Sequence, residues 1–153
     1  MKGKKTDLAQ VNCGIARALQ IVGDWWTLLI VRDAFHGRQR FNEFQKSLGL
    51  AKNILSARLK KLVEEGILKV EQDSEVPSSR RYLLTKKGER LGTILVALWQ
   101  WGEENGFERG ELKYAMVDKR GGKPLAKLQI ISRDGEVLGP RDFHMVEKGR
   151  PGV

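Results

Sequence analysis

A chain of 153 residues with 41% apolar residues and a single cysteine has enough length to bury a core without metals or disulfides, and it contains no intrachain disulfide framework. A formal charge of +9 favours an anionic partner but does not by itself choose between DNA, RNA and anionic lipid. The N-terminus is positive with no long apolar stretch behind it, and residues 94–101 are far too short to span a bilayer, so a cytoplasmic protein with no membrane role is expected.

Residues 1–10 read as a flexible basic arm. From Asn12 the pattern turns helical, with Ile15, Ala18, Leu19 and Val22 along one face before Gly23. A second helix over residues 24–35 has Asp24 in a capping position. Trp25, Leu28, Leu29 and Arg32 recur along it at helical spacing, and its apolar character predicts extensive burial. Residues 36–40 break the pattern. A short helix over residues 41–47 then points Phe41, Phe44 and Leu48 inward, and Gly49 supplies a turn.

Residues 51–65 form the clearest helix. Leu55, Leu59 and Leu62 make its inner stripe, while Asn53, Ser56, Ala57, Lys60 and Lys61 fall on the opposite arc, and Gly66 ends it. Residues 67–72 and 80–85 read as two strands around a loop containing Pro77. Thr85 caps a long helix over residues 86–105 with a stripe of Leu91, Ile94, Leu95, Leu98 and Trp101. Residues 110–153 differ in composition. They predict an appendage with a small hairpin, strands 127–131 and 136–138, around Asp134-Gly135. The expected organisation is therefore an arm (1–10), a DNA-binding and dimerisation domain (11–109) and a C-terminal appendage (110–153).

A short helix, a turn, a basic-faced helix and a basic hairpin, in that order, give a small domain two grips on a duplex. One helix enters the major groove and the wing lies on the flanking backbone. Asn53, Ser56, Ala57 and Lys60 are the candidate base readers, because spacings of three and four put them on one face. Arg38, Arg40, Lys52, Lys61, Arg80 and Arg81 are the candidate phosphate contacts. Strand alternation points Arg80 and Arg81 in opposite directions, which leaves one of the two for a structural role. The apolar residues Ile15, Leu19, Val22, Leu91, Ile94, Leu95, Leu98, Trp99 and Trp101 exceed what one core stripe needs, so they are the candidate dimer interface. Two recognition helices about one helical turn apart, roughly 34 Å, would read a palindromic operator.

The chain resembles the HxlR-type winged helix-turn-helix transcriptional regulators over residues 13–104. The resemblance rests on Cys13, the run from Ala18 to Ile30, Gly37, Arg40-Phe41-Asn42-Glu43-Phe44 and the run from Ile54 to Leu62. Glu65-Gly66-Ile67-Leu68, Tyr82-Leu83-Leu84-Thr85-Lys86-Lys87-Gly88 and Trp99-Gln100-Trp101-Gly102 complete it. It implies an α+β, predominantly helical fold: a winged helix-turn-helix with long terminal helices at a homodimer interface and a small β-containing extension. It also implies residues 51–65 as recognition helix, residues 68–85 as wing, and regulation of transcription with the sign left open. Ala51 departs from a pattern that often has a capping serine or threonine. Asp24 stands where a basic residue is common.

Cys13 has two readings. It is a redox or electrophile sensor, with Arg17 one turn away to favour a thiolate, or it is a buried structural cysteine. Trp25, Trp26, Trp99 and Trp101 either line a small-molecule effector pocket or fill cores and seams. His36 and His144 are too sparse for a metal site, Gly121-Gly122-Lys123 is only a fragment of a phosphate loop, and no catalytic constellation is visible, so neither cofactor nor enzyme activity is expected. The alternative to a DNA reader is a winged-helix protein-interaction module that uses its basic face on an acidic protein.

Overall fold

The computed structural model describes residues 7–149. Among these residues, six helices and four strands run in the order α1 (Gly14–Val22), α2 (Trp25–Phe35), α3 (Phe41–Leu48), α4 (Lys52–Glu64), β1 (Leu68–Gln72), β2 (Arg80–Leu84), α5 (Lys86–Glu89), α6 (Gly92–Asn105), β3 (Ile130–Ile131) and β4 (Val137–Leu138). This is a predominantly helical winged helix-turn-helix fold with a small β-hairpin extension. The chain divides into two compact units, Met1–Val96 and Ala97–Val153, parting inside α6.

In the N-terminal unit, local chemistry sets the helix ends. The Asp24 carboxylate accepts from the Thr27 amide at 3.2 Å and starts α2, as expected of a cap. Gly49 and Gly66 take left-handed backbone angles, φ 64° and 68°, so the chain turns sharply after α3 and after α4. The core holds Phe44 of α3, Leu55, Leu59 and Leu62 of α4, and Ile67 and Leu68, packed against Ile30 and Val31 of α2. The inner stripe read for α4 is thus the buried one. The face of α2 differs from expectation. Thr27, Ile30, Val31 and Asp33 are buried, whereas Trp25 at its first turn is 75% exposed.

β1 and β2 pair antiparallel, from Leu68 opposite Leu84 to Gln72 opposite Arg80. The Tyr82 amide donates to the Gln39 carbonyl at 2.7 Å, and Arg40 bridges to Arg81. The segment entering α3 therefore lies along the wing and fixes the helix-turn-helix against it.

The long helix predicted over residues 86–105 is broken. Thr85 caps α5 through the Gly88 amide at 3.1 Å, and its hydroxyl bonds back to the Gly66 carbonyl. Gly88 is packed so closely on the end of β1 that a Cβ there would collide with the Ile67 carbonyl oxygen. With α5 held down, the chain re-enters helix only at Gly92, and Leu91 is inserted into the core.

Residues 1–6 of the expected arm lie outside the described residues. Residues 7–11 fold back locally: the Leu8 amide donates to the Gln20 side chain at 3.2 Å and the Val11 amide to the Leu8 carbonyl. In the C-terminal unit, β3 and β4 pair with Ile130 opposite Leu138, around Gly135 at φ 87°, so the expected hairpin forms with shorter strands. A second turn carries Gly121-Gly122-Lys123. The amides of Arg120, Gly121 and Lys123 all donate to the Asp118 carboxylate, which holds its pKa below the usual range and occupies the donors an anion would need. Among the described residues no single helix is long and apolar enough to cross a membrane. α1 and α2 reach that length and composition only as a pair bent by 77°.

Candidate nucleic-acid interface

α3 starts at Arg40 because Glu43 reaches back over its first turn. The Glu43 carboxylate accepts from the Gln39 amide at 2.7 Å and the Arg40 amide at 2.9 Å, and these two bonds hold its pKa low. α4 follows after the Gly49 turn. Ala51 has no side-chain acceptor and leaves that helix start uncapped, as its chemistry requires. Asn53, Ser56, Ala57 and Lys60 all lie exposed on the outer arc of α4, opposite Leu55, Leu59 and Leu62. The four residues therefore form one continuous face, with Lys52 exposed in the first turn beside it.

Ile54 lies at the edge of this face, one turn before Ala57, and was not among the residues read from the sequence as part of it. It is 41% exposed, about 100° around the helix from Leu55, and apolar on an otherwise polar arc. The available signal was an isoleucine off the inner stripe.

The six cations proposed for phosphates divide into two groups. Lys52 and Arg80 are exposed and have no ion pair among the described residues. Arg38 is 38% exposed at its side chain and lies 3.7 Å from the buried Asp33, which also binds Arg32 at 2.8 Å. The other three each have a partner within the fold. Arg40 donates through Nε to Asp73 at 2.5 Å and through its terminal nitrogen to Glu75 at 2.8 Å, with Glu43 at 3.6 Å. Hydrogen bonds to Asp73 and then Glu75 raise the Arg40 pKa, and Asp73 is held down at about 2, first by the Arg40 bond. Asp73 is buried, and its second oxygen accepts the amides of Glu75 and Val76. Arg40 thus staples the wing loop to the start of α3. Lys61 donates to the Gln20 carbonyl of α1 at 3.1 Å, because it lies at the edge of the outer arc nearest α1. Arg81 faces inward, toward the Gln39 side chain at 3.4 Å and Glu71 at 4.0 Å, while Arg80 faces out, the division that strand alternation predicts.

A further ion pair was not anticipated. Asp24, besides capping α2, binds Arg58 of α4 at 2.6 Å. The acidic residue that departs from the usual pattern is therefore a link from α2 to α4.

The candidate dimer residues also separate. Ile15 and Leu19 stand exposed on one face of α1, and Ile94, Leu98 and Trp101 stand exposed at spacings of four and three along α6. Val22 and Leu91 are buried in the core, and Leu95 packs against it, so these three serve the monomer. Trp99 is half-buried. Cys13 is half-buried at the start of α1, and the Arg17 guanidinium donates to the Val11 carbonyl at 2.9 Å. Trp25 and Trp26 make an edge-to-face pair at 6.1 Å. In the C-terminal unit, Trp99, Gln100, Met116 and Leu125 help line a cavity of about 60 Å³. That is room for about two waters and well below the several hundred Å³ of a typical ligand site.

The exposed face of α4, the stapled wing and the terminal helices define a winged helix-turn-helix protein. Residues 21–109 match the model of the HxlR-like helix-turn-helix family, more than half of the chain, and the chain belongs to that family. It is 43% identical over 90 residues to the HTH-type transcriptional regulator Rv3095 of Mycobacterium tuberculosis strain H37Rv. The match takes in 59% of this chain and 57% of the relative, so the chain spans little more than half that relative's length. The crystal structure of PA1607, assigned as a candidate transcription factor, superposes with a TM-score of 0.87 at 45% identity, covering 92% of this chain and 99% of that one. The redox regulator HypR in its reduced form superposes at 28% identity with a TM-score of 0.57, covering 61% of this chain and 94% of HypR.

Proposed function

We propose that the chain is a sequence-specific reader of double-stranded DNA that regulates transcription in the cytoplasm as a homodimer. The observation that carries this reading is the exposed Asn53, Ser56, Ala57 and Lys60 face of α4, together with the exposed cations Lys52 and Arg80, which have no ion pair among the described residues. The reading agrees with the names of the relatives above, which describe regulators and a transcription factor. Asn53, Ser56 and Lys60 present donors and acceptors to base edges in the major groove, and Ala57 offers a methyl contact. Lys52, Arg80 and the half-exposed Arg38 hold phosphates, which fixes position and contributes salt-dependent affinity without reading sequence. Arg40, Lys61 and Arg81 act one step back by fixing the wing and α4 in place.

Residues 11–109 are the DNA-binding and dimerisation region in this reading, with residues 110–153 appended to it. Ile15, Leu19, Ile94, Leu98 and Trp101 supply the apolar dimer contacts, and the two-fold axis makes the operator a palindrome with half-sites roughly 34 Å apart. Cys13 lies at the start of one of these helices, where oxidation or an electrophile would alter the interface. Ser56→Ala tests the central assignment. It should change the relative affinity among related sites while leaving the salt dependence alone, and equal weakening on all sequences would remove Ser56 from base reading.

A further inference from the structure

α4 is attached to the rest of its unit in two ways. Leu55, Leu59 and Leu62 bury its inner stripe, and that attraction is non-directional, so it holds α4 on the core more firmly than it fixes its roll. Direction comes from polar contacts. Among the described residues, the side chains of α4 make only two of these to other elements. Arg58 pairs with the Asp24 carboxylate at 2.6 Å, and Lys61 donates to the Gln20 carbonyl at 3.1 Å. A spacing of three puts both cations on one flank of α4, between the inner stripe and the face that carries Ser56.

Both contacts end at one corner, the turn at Gly23 that joins α1 to α2, and each has its own chemical reason. α1 has no basic residue in its last turn, so the carbonyls and the negative dipole at its C-terminus have no local cation. Lys61 supplies one from α4. Asp24 is the anion at the N-terminus of α2, where one carboxylate oxygen accepts from the Thr27 amide and the other meets Arg58. The corner itself is tight. The Gly23 amide donates to the Leu19 carbonyl at 2.8 Å, and a Cβ on Gly23 would collide with that oxygen. The exposed face of α1 carries Ile15 and Leu19, the apolar residues assigned above to the contact between copies. The helix that reads is therefore tied, through two directional contacts, to the end of the helix that meets the partner.

We propose that Arg58 and Lys61 are positioning residues that gear the reading face of α4 to α1, so that the contact between two copies sets the half-site spacing the protein accepts. This rests on the DNA-reading homodimer proposed above and adds the residues through which spacing is chosen.

The test uses the full chain and the site it selects from a random duplex library, with base pairs added to or removed from between the half-sites. The wild-type chain should lose affinity about tenfold or more away from one preferred spacing. Arg58→Met combined with Lys61→Met keeps the apolar stems and removes both contacts, and should flatten that profile to within about threefold. Lys61→Met alone leaves the Asp24 pair intact and should broaden the profile part of the way, which gives the same reading where the double variant does not fold. Lost stability or lost positive charge lowers affinity at every spacing and leaves the shape of the profile alone, so the shape reports positioning. A profile as sharp in the variants as in the wild type would overturn the proposal and leave the DNA reader in place. A flat wild-type profile would overturn it too, because the two reading faces would then act independently. A chain that selects no site would overturn the DNA-reading proposal together with this one.

Discussion

Asp24 performs two tasks that substitution can separate. One carboxylate oxygen accepts from the Thr27 amide at 3.2 Å, and the other binds Arg58 at 2.6 Å, with side chains 22% and 32% exposed. An Asp-to-Ala change at such a cap costs about 1 kcal/mol, and a partly exposed ion pair contributes at most about 1 kcal/mol. Asp24→Ala should therefore lower unfolding stability in urea by about 1–2 kcal/mol with an unchanged m-value. Asn caps as well as Asp, so Asp24→Asn should lose only the pair, less than about 1 kcal/mol. Equal destabilisation by Ala and Asn would refute the capping argument.

The wing staple gives a pH prediction. Asp73 is depressed from 3.8 to about 2 in the fold, so its stabilising contribution is complete above about 4 and is lost as pH falls toward 2. The amide resonances of Glu75 and Val76, which donate to Asp73, should hold steady from pH 7 to about 4 and move below it. Asp73→Asn should loosen the wing at pH 7 and weaken DNA binding while far-UV circular dichroism stays constant; unchanged binding would remove the wing from the interface. Ile54 faces the groove in this account, so Ile54→Ala should lose about 1 kcal/mol on a selected site containing thymine and nothing on the same site with deoxyuridine there; equal losses on both would end the methyl-reading role. Arg80→Ala should weaken all sequences alike and reduce the salt slope by about one, whereas Lys61→Ala should leave the slope and cost about 1 kcal/mol of folding stability. The reverse pattern would restore Lys61 as the phosphate contact.

What the sequence revealed was what local chemistry decides. The Leu55, Leu59 and Leu62 stripe, the Asp24 and Thr85 caps, and the turns at Gly49 and Gly66 each depend on a few neighbouring residues, and each forms. The exposed arc of α4 followed from the same periodicity. Partners distant in the chain were not legible. Arg40 meets Asp73 across 33 positions and Lys61 meets Gln20 across 41, and no spacing rule announces either. Both looked like free cations until the fold supplied their oxygens. The break before α6 was hidden for a similar reason, since it depends on Gly88 lying against the Ile67 backbone from another element. Val22 and Leu91 fitted an apolar seam by pattern alone, and only packing assigned them to the core.

The most direct test of the central claim is selection from a random duplex library, followed by binding of the purified chain to the winner and to a scrambled control across a salt series. The account predicts a two-fold-related site, bound by two chains and preferred over the control, with affinity falling steeply as salt rises. Equal binding to every duplex, or binding to none, would contradict sequence-specific reading and turn the exposed face of α4 toward an acidic protein partner.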